Sequence, residues 1–319
     1  MNDILLAIGE ALIDFMPDKK ECEFDEVTTF SPKLGGAPAN VCGAYAKLGG
    51  RAKLLTQLGD DPFGHKIIKE LKQYNIDTSC ITLTDKANTA LAFVSLGKGG
   101  ARTFSFYRKP SADMLYQPKS VKKEYFDNAW ALHFCSVSLG DFPMKEAHRA
   151  AVEYAREKGV IVSFDPNLRF NLWDSREKLK YTVREFTPAA DIFKISDEEL
   201  DFLTGETEIE KAFDKLFVGN VKLIIYTCGK KGAFAYTKKT SAFGAARKVE
   251  VKDTTGAGDG FIGSFLWKLN QMGIDVNGLE DLTQAQLEEC LDFSNEFCTL
   301  SVMDYGAIAS YPEKVTVYN

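Results

Sequence analysis

The chain has 319 residues, of which 39 are Lys or Arg and 45 are Asp or Glu, so its formal net charge is −6. With 45% apolar residues it can bury a large core, which excludes a disordered chain. Because the chain is acidic and carries no run of Lys or Arg, it has no long-range attraction for a polyanion, and we expect no nucleic-acid partner.

The seven cysteines are scattered and form no C-x-x-C pair, which favours neither a disulfide framework nor a zinc site. The first apolar run, Ile4–Ile8, is followed at once by Gly9 and Glu10 and is too short for a signal segment. No stretch approaches the ~18 consecutive apolar residues of a membrane helix. We therefore expect a reduced, cytoplasmic protein that has no membrane partner.

Short apolar runs rich in β-branched residues alternate with longer amphipathic segments along the chain. Six of these runs are predicted to be buried strands: Ile4–Ile8, Lys53–Leu58, Trp130–Phe134, Val160–Phe164, Ile192–Ile195 and Leu223–Thr227. The helices predicted between them include Pro62–Tyr74, Pro143–Lys158 and Ser196–Thr204. This alternation predicts an α/β fold with a doubly wound, mostly parallel sheet.

Two stretches interrupt the alternation with period-two patterns that predict antiparallel strands. The first is Phe24–Ser31, and the second is the pair Ala90–Leu96 and Arg102–Tyr107, joined by the glycine-rich residues 97–100. We interpret both as parts of a small β-sheet lid, inserted at about residues 12–33 and 87–115 of a single domain that spans residues 1–319. A lid of this kind commonly covers a site.

A glycine-rich turn, residues 34–40, reads LGGAPAN and leads into a predicted helix. The paired Gly35 and Gly36 let the backbone approach a ligand closely, and Asn40, one turn inside the helix, offers a donor and an acceptor. A polyol needs such bifunctional partners. Small residues also suit a helix that packs tightly on a strand, which is the role we prefer for Gly43 and Ala44.

Two charged residues follow predicted core strands. Asp14 comes soon after the first strand, and Arg169 follows Val160–Phe164. In a doubly wound sheet the carboxyl ends of the strands open into one crevice, so both side chains are expected to converge on a small polar ligand. A lone Asp at a strand end is also compatible with an ordinary turn.

Near the C-terminus, residues 253–260 read DTTGAGDG, follow the strand-like segment Lys248–Lys252 and open a predicted helix, Phe261–Met272. Glycines at a helix start let several backbone N–H groups point at one anion, and the helix dipole adds to the attraction. Phosphate binding is the natural hypothesis. Asp259 in this turn is either a helix cap or a general base that accepts a proton from an attacking hydroxyl.

Residues 258–263 also match the dinucleotide fingerprint G-x-G-x-x-G. That fingerprint requires a second strand that ends in an acidic residue about 20 positions later. Here residues 273–278 predict a loop and Gln284–Met303 a helix, so we do not favour NAD binding. The chain also has no P-loop sequence G-x-x-x-x-G-K-[ST].

Together, residues 35–40 and 253–259 resemble the two signatures of the ribokinase-like, or PfkB, carbohydrate kinases. The resemblance spans essentially the whole chain and includes LGDDPFG at residues 58–64. Within that family, FYRKPSADML at 106–115 and FDPNLR at 164–169 look most like fructokinases. The resemblance implies a doubly wound α/β fold with a β lid that often forms a dimer clasp. It also implies transfer of the ATP γ-phosphate to a sugar hydroxyl.

Carried over by position, the resemblance makes Asp259 the catalytic base. It forms the anion hole from the backbone amides of Gly256, Ala257, Gly258 and Asp259. It assigns sugar binding to Asp14, Gly35, Gly36 and Asn40, with further sugar or phosphate contacts from Arg108 and Arg169. It places the nucleotide along Thr227, Gly229 and Gly232, near Lys194 and against Asn295.

The resemblance also implies two cation sites. Many relatives have an N-x-x-E motif that orders hydrated Mg²⁺ and the phosphates, and the matching residues 196–199 here read SDEE, with Ser196 in place of Asn. Glu199 would act on Mg²⁺ through water, and Glu198 could stand in for it. Relatives bind a monovalent cation such as K⁺ beside the anion hole, where Asp253 and Thr255 would be the matching ligands.

The resemblance leaves the substrate open. Phosphorylation of fructose by ATP, in a homodimer formed through the lid, is the leading hypothesis. A 2-keto-3-deoxygluconate kinase or a ribokinase-type kinase of the same family is the alternative, because Arg108 and Arg169 could equally hold a substrate carboxylate. A non-catalytic sugar- or nucleotide-binding regulator is more remote, since such a protein would be expected to lose Asp259 or the glycines.

Overall fold

The computed structural model describes residues 2–19, 24–96 and 102–317, so the predicted turn at residues 97–100 lies outside the described residues. Its strands are β1 Ile4–Ile8, β2 Leu12–Pro17, β3 Phe30–Gly35, β4 Arg51–Gly59, β5 Ile76–Asp77, β6 Ile81–Thr84, β7 Leu91–Leu96, β8 Arg102–Tyr107, β9 Ala129–Cys135, β10 Ile161–Asp165, β11 Ile192–Ser196, β12 Leu223–Thr227, β13 Ala233–Tyr236 and β14 Ser241–Gly244. Its α-helices are α1 Ala37–Lys47, α2 Pro62–Gln73, α3 Pro143–Glu157, α4 Arg176–Phe186, α5 Asp197–Thr204, α6 Phe213–Leu216, α7 Ala257–Gln271 and α8 Gln284–Ser301.

Ten strands form a large sheet in the order β14-β13-β12-β11-β10-β9-β1-β4-β5, with β6 also paired to β4. The pairs from β12 to β5 are parallel, whereas β13 and β14 pair antiparallel at one end. Every residue of β1, β9 and β10 is buried, as expected for parallel strands covered on both faces. The predicted doubly wound α/β fold is confirmed, and each of the six predicted core strands is present within two residues of its predicted bounds.

Helices cover both faces of the large sheet. The helices α1, α7 and α8 pack on one face, and α3, α4 and α5 pack on the other. The helix α7 begins at Ala257, four residues before its predicted start, and its N-cap, Gly256, adopts a left-handed conformation. Across the described ranges, no helix is both long and apolar enough to cross a bilayer.

A separate small sheet has the strand order β3-β2-β7-β8. The predicted strand Phe24–Ser31 is wrong: Phe24–Glu26 is a 3₁₀ turn, and the strand is β3, which pairs antiparallel with β2. Pro32 makes β3 hard to recognise in the sequence. The small sheet tolerates this proline because β3 is an edge strand.

The chain passes between the large and the small sheet four times, before β2, after β3, before β7 and after β8. The four passages lie at the same end of the small sheet. There Leu12 pairs with Gly35, Ile13 with Leu91, and Leu91 with Tyr107. The turn into α1 is one of these four connections, so the small sheet is joined directly to the predicted sugar-binding residues.

The segment Lys248–Lys252, predicted as a strand, is not one, because residues 245–256 form no regular element. Its apolar and charged residues alternate as in a strand, but none of the described strands pairs with it. Instead, the amides of Lys252 and Asp253 both donate to the carbonyl of Val302 at the end of α8. The segment that leads into α7 is therefore held by hydrogen bonds to the end of α8 and not by strand pairing.

Candidate active site

The turn between β3 and α1 needs its two glycines for different reasons. Gly36 has φ +105°, a conformation rare for other residues, and a Cβ there would lie 2.5 Å from the Glu10 carbonyl oxygen. A Cβ on Gly35 would lie 2.1 Å from Oδ2 of Asp14. The turn therefore brings bare backbone against the Asp14 carboxylate, the close approach expected of paired glycines.

Asp14 lies in β2 of the small sheet and not, as the sequence suggested, at the end of a core strand. Burial raises its pKa to about 7, the nearby Arg169 guanidinium lowers that pKa, and the Asp259 carboxylate adds to the rise. Asp14, Arg169 and Asp259 are thus near one another. The structure brings Asp14 and Arg169 together, although Asp14 comes from the small sheet, and the ligand that they would share stays a prediction.

Asp259 is buried in the first turn of α7, with both carboxylate oxygens held by side chains. Asn40 Nδ2 donates to its Oδ2 at 2.9 Å, and Asn167 Nδ2 donates to its Oδ1 at 3.3 Å. Burial raises the pKa of Asp259 to about 6, while the Asn40 hydrogen bond lowers it. A helix cap would instead accept backbone N–H groups, so the geometry fits a base that works near neutral pH.

Asn40 lies in the first turn of α1, and only one of the two polar atoms of its side-chain amide makes a hydrogen bond with the described residues. Its Nδ2 binds Asp259, while its Oδ1 is buried and accepts no hydrogen bond from the described residues. A buried acceptor without a donor is costly, so this arrangement favours a ligand that brings one. A hydroxyl bound to Asn40 would lie beside the Asp259 carboxylate.

The turn before α7 presents backbone N–H groups. Gly256 has φ +72°, and a Cβ there would lie 2.6 Å from both Ala307 Cβ and the Tyr311 hydroxyl, so only glycine fits. The Ala257 amide donates to the Thr254 carbonyl, but those of Gly258 and Asp259 meet no acceptor in the described part of the chain. Because no side chain caps it, the positive end of the helix dipole stays available to an anion.

Residues that follow α8 support this turn. The Tyr311 hydroxyl donates to the Gly256 carbonyl at 2.7 Å. Asp253 accepts the amide and the hydroxyl of Thr255 through Oδ1 and the amide of Gly306 through Oδ2. The two predicted K⁺ ligands, Asp253 and Thr255, are therefore in contact within the turn that carries the free amides.

Lys194, on β11, places a buried positive charge beside the start of α7. Its Nζ lies 2.6 Å from Oδ2 of Asp165, and a Cβ on Gly258 would lie 3.6 Å from the same Nζ. Burial disfavours the charge of Lys194, but the Asp165 and Glu199 carboxylates outweigh it and raise the pKa of the amine. An anion at the α7 turn would therefore also face a fixed ammonium group.

The other predicted nucleotide residues lie in one region towards the antiparallel end of the large sheet. Thr227 ends β12, and the turn after it holds Gly229 and Gly232 at φ +52° and +110°. A Cβ on Gly232 would lie 2.1 Å from the Gly244 carbonyl oxygen, to which Asn295 Nδ2 donates at 2.8 Å. The turn after β12, the end of β14 and α8 therefore meet around this carbonyl group.

Glu199 is the third residue of α5 and links two backbone segments. Its Oε2 accepts the Ser196 amide at 3.0 Å, and its Oε1 accepts the Leu168 amide at 2.8 Å. Glu198 is exposed to solvent. No group of three or more His, Cys, Asp or Glu residues within the described ranges could hold a metal ion directly. A lone oriented carboxylate fits Mg²⁺ that keeps most of its water and phosphate ligands.

The two arginines predicted to contact substrate or phosphate differ. Arg108 is buried, and its guanidinium donates to Asp113, to the Val137 carbonyl at 3.1 Å and to the Ser138 hydroxyl at 3.2 Å. Arg169 is exposed, and its side chain makes no hydrogen bond or ion pair with the described residues. Arg169 therefore keeps its donors for a ligand, whereas most donors of Arg108 are in use.

Sequence reasoning missed three polar residues of this region, namely Glu10, Asp165 and Asn167. Glu10 follows β1 closely, Asp165 ends β10, and Asn167 lies two residues further with φ +44°. The signal that indicated Arg169, a polar residue at the carboxyl end of a buried strand, applies to all three.

The model for the pfkB family carbohydrate kinases matches residues 3–314. A fructokinase-2 of Solanum lycopersicum is 40% identical over 312 residues, which are 98% of this chain and 94% of that protein. The crystal structure of a fructokinase with bound ATP from Xylella fastidiosa has a TM-score of 0.90 at 32% identity and covers 98% of this chain and 96% of that one. A fructokinase double mutant from Vibrio cholerae O395, in a fructose, ADP and potassium ion bound form, has a TM-score of 0.86 at 32% identity over the same shares.

Proposed function

We propose that this chain, which belongs to the pfkB family of carbohydrate kinases, transfers the γ-phosphate of ATP to a hydroxyl of fructose. The observation that carries the proposal is the surroundings of Asp259. This oriented carboxylate lies next to an unused acceptor on Asn40, in a helix start with unused N–H groups. One group can take the proton of a sugar hydroxyl while the others hold the sugar and the phosphoryl group.

Asp259 acts as the general base. With a pKa of about 6 it is ionised at neutral pH, and it accepts the proton of the attacking hydroxyl as the bond to phosphorus forms. Asn40 and Asn167 hold the carboxylate in the required orientation, so no rearrangement is needed when the sugar binds.

The negative charge that spreads over the transferring phosphoryl group is stabilised by the amides of Gly258 and Asp259, the dipole of α7 and the Lys194 ammonium group. Arg169 adds an exposed positive charge from the loop after β10. The small sheet serves as a lid that closes over the sugar and excludes water, which would otherwise take the phosphoryl group.

Two ions complete this assignment. Mg²⁺ bound with ATP would neutralise phosphate charge, and Glu199 would orient its water ligands. Asp253 and Thr255 would ligate K⁺ beside the α7 turn, in line with the potassium-bound form of the Vibrio cholerae relative.

Fructose is proposed as the sugar because the relatives that share 40% of the sequence are named fructokinases, and because the Vibrio cholerae relative was crystallised with fructose. The rival substrates are 2-keto-3-deoxygluconate and ribose. The free Arg169 beside Asp14 and Asp259 is the observation that keeps an acidic sugar in consideration.

ADP release from ATP, measured with fructose, ribose, 2-keto-3-deoxygluconate, adenosine and fructose 6-phosphate, tests the proposal. Fructose should give the highest kcat/KM. Turnover of another sugar without turnover of fructose would leave a kinase with a different substrate. No turnover of any compound would favour a non-catalytic binding protein, in spite of the intact Asp259, Gly256 and Gly258.

We also propose that the outer face of the small sheet forms a homodimer contact. Phe15 stacks on Phe93 with 4.7 Å between ring centres, and Phe30 and Tyr107 contact Phe93 edge-on at 5.3 and 5.4 Å. Phe24 and Tyr107 are 44% and 64% exposed, so a second copy could cover an apolar surface here. Light scattering should give twice the mass of one chain, and Tyr107→Asp should reduce it to that of one chain.

A further inference from the structure

Arg108 belongs to a buried cluster that contains two carboxylates. Asp113 is 1% exposed and Glu10 is 2% exposed. The Arg108 guanidinium donates to Asp113 through Nε at 3.0 Å and through Nη2, and Nη2 also donates to the Ser138 hydroxyl at 3.2 Å. That hydroxyl in turn donates to Glu10 at 2.6 Å. One buried cation is therefore matched by two acidic groups, and the cluster has no surplus positive charge.

This cluster adjoins the turn between β3 and α1. The second carboxylate oxygen of Glu10 accepts the Ala37 amide at 3.3 Å, immediately after Gly35 and Gly36. The Glu10 carbonyl lies against Gly36, where a Cβ would be 2.5 Å away. Over so short a distance among buried groups, the net charge of the cluster acts on whatever binds at the turn.

We propose that Asp113, assisted by Glu10, makes the sugar site selective for uncharged sugars over sugar acids. An unpaired guanidinium at the position of Arg108 would attract a substrate carboxylate, because its planar fork of donors matches the two carboxylate oxygens. Asp113 already occupies that fork. The inference rests on the proposed function, since it presupposes a sugar kinase, and it identifies the residue that sets the class of sugar.

The two other cations around the site, Lys194 and Arg169, also lie close to carboxylates. Lys194 is paired with Asp165 at 2.6 Å. Arg169 lies near Asp14 and Asp259, and it lowers the pKa of both. Each cation therefore faces at least one carboxylate until the phosphate groups of the nucleotide arrive. A substrate with a carboxylate of its own would add negative charge to a site that is already balanced.

The test compares kcat/KM for 2-keto-3-deoxygluconate with kcat/KM for fructose in the wild type, in Asp113→Asn and in Glu10→Gln. Both substitutions keep the shape of the side chain and remove its charge. The acid-to-fructose ratio should rise about tenfold in Asp113→Asn, as expected when one unit charge is removed several ångströms from the ligand. The rise should be smaller in Glu10→Gln, because burial raises the pKa of Glu10 and reduces the charge that it carries.

Asp191→Asn is the matched control. Asp191 is fully buried, binds Arg156 Nη1 at 2.9 and 3.1 Å, and lies before β11, at the amino edge of the large sheet and away from the site. This variant should lose stability, as we also expect of Asp113→Asn, but its acid-to-fructose ratio should equal that of the wild type.

The outcomes separate the inference from the proposed function. An unchanged ratio in folded Asp113→Asn, with fructose still preferred by the wild type, overturns only the role of Asp113. A wild type that prefers the acid, or that releases no ADP with fructose, overturns the proposed function. If Asp113→Asn does not fold, inhibition of the wild type decides: tight competitive inhibition of fructose phosphorylation by 2-keto-3-deoxygluconate overturns the selectivity, and weak or no inhibition supports it.

Discussion

Two glycine turns lead into helices in this molecule, and they differ in what meets the helix start. Before α1, the Ala37 amide donates to the Glu10 carboxylate at 3.3 Å. Before α7, the amides of Gly258 and Asp259 meet no acceptor in the ranges that the structure describes. Glycines give a ligand access to both turns, but a neighbouring carboxylate decides whether the helix start is open to an anion. Similar sequence motifs therefore leave one helix start in contact with a carboxylate and the other open to an anion, which agrees with the proposed sugar and phosphate sites.

The largest expected effect comes from Asp259, the proposed base, whose hydrogen bond with Asn40 joins the starts of α1 and α7. In Asp259→Asn, kcat should fall by about 10² to 10⁴, the usual contribution of a general base. The KM for fructose should stay close to that of the wild type, because an Asn side chain of the same shape leaves the sugar contacts in place. Steady-state ADP release measures both constants, and thermal unfolding checks the fold. Turnover at the wild-type rate would remove Asp259 from the mechanism.

Substitution of Gly256 tests whether its left-handed conformation gives the turn before α7 the shape that an anion site requires. Gly256→Ala should lower kcat by about 10² to 10³, because a displaced turn would misalign the amides of Gly258 and Asp259, an effect comparable to the loss of one oxyanion-hole donor. Strain at φ +72° should also lower the free energy of unfolding by about 1–3 kcal/mol. Gly258→Ala is the control for stability, because its Cβ would meet only Lys194 Nζ, at 3.6 Å. Equal destabilisation in both variants would contradict this account of the turn.

The link between the two turns is the Asn40–Asp259 hydrogen bond, and a pH profile can sharpen its role. Because Asp259 must be ionised to accept a proton, kcat/KM should fall as the pH drops below about 6. Asn40 lowers this pKa by donating to the carboxylate, so Asn40→Ala should move the acid limb to higher pH. Asn167→Ala, which removes the longer bond of 3.3 Å, should shift the limb less. A limb that moves to lower pH in Asn40→Ala would count against the assignment.

The smallest effect is expected from the hydrogen bond by which Tyr311 supports the turn before α7. Tyr311→Phe removes the hydroxyl that donates to the Gly256 carbonyl at 2.7 Å. The free energy of unfolding should fall by about 1 kcal/mol, the typical net value of one hydrogen bond. Denaturant titration measures the loss, and kcat should fall far less than in Gly256→Ala. A loss of kcat as large as that of Gly256→Ala would mean that the phenol does more than support the turn.

The core of the fold could be predicted because its strands are buried on both faces and therefore apolar throughout, while glycines mark the ends of helices. The small sheet was harder to predict. The strand β2 carries Asp14 and ends in Pro17, and β3 contains Pro32, so neither has the composition of a typical strand. The alternation in Lys248–Lys252 led to the opposite error, a predicted strand that the structure does not contain at these residues, because a strand also needs a partner that local sequence does not reveal.

At the candidate site, the glycine turns could be found because a close backbone approach depends on local residues. The surroundings of Arg108 could not. Its partners Asp113 and Ser138, and Glu10, which accepts from Ser138, come from three separate segments that meet only in the folded chain. An arginine beside a glycine turn therefore looks the same in the sequence whether it is free for a ligand or neutralised by a carboxylate.

The four passages between the sheets lie at one end of the small sheet, so the small sheet is attached to the rest of the molecule at that end. Gly35 lies in the fixed row, and Asp14, paired with Lys33, lies only two residues further along β2. A sheet that is attached at one end bends least where it is attached. The backbone beside the proposed sugar site is therefore the part of the small sheet most closely tied to the large sheet.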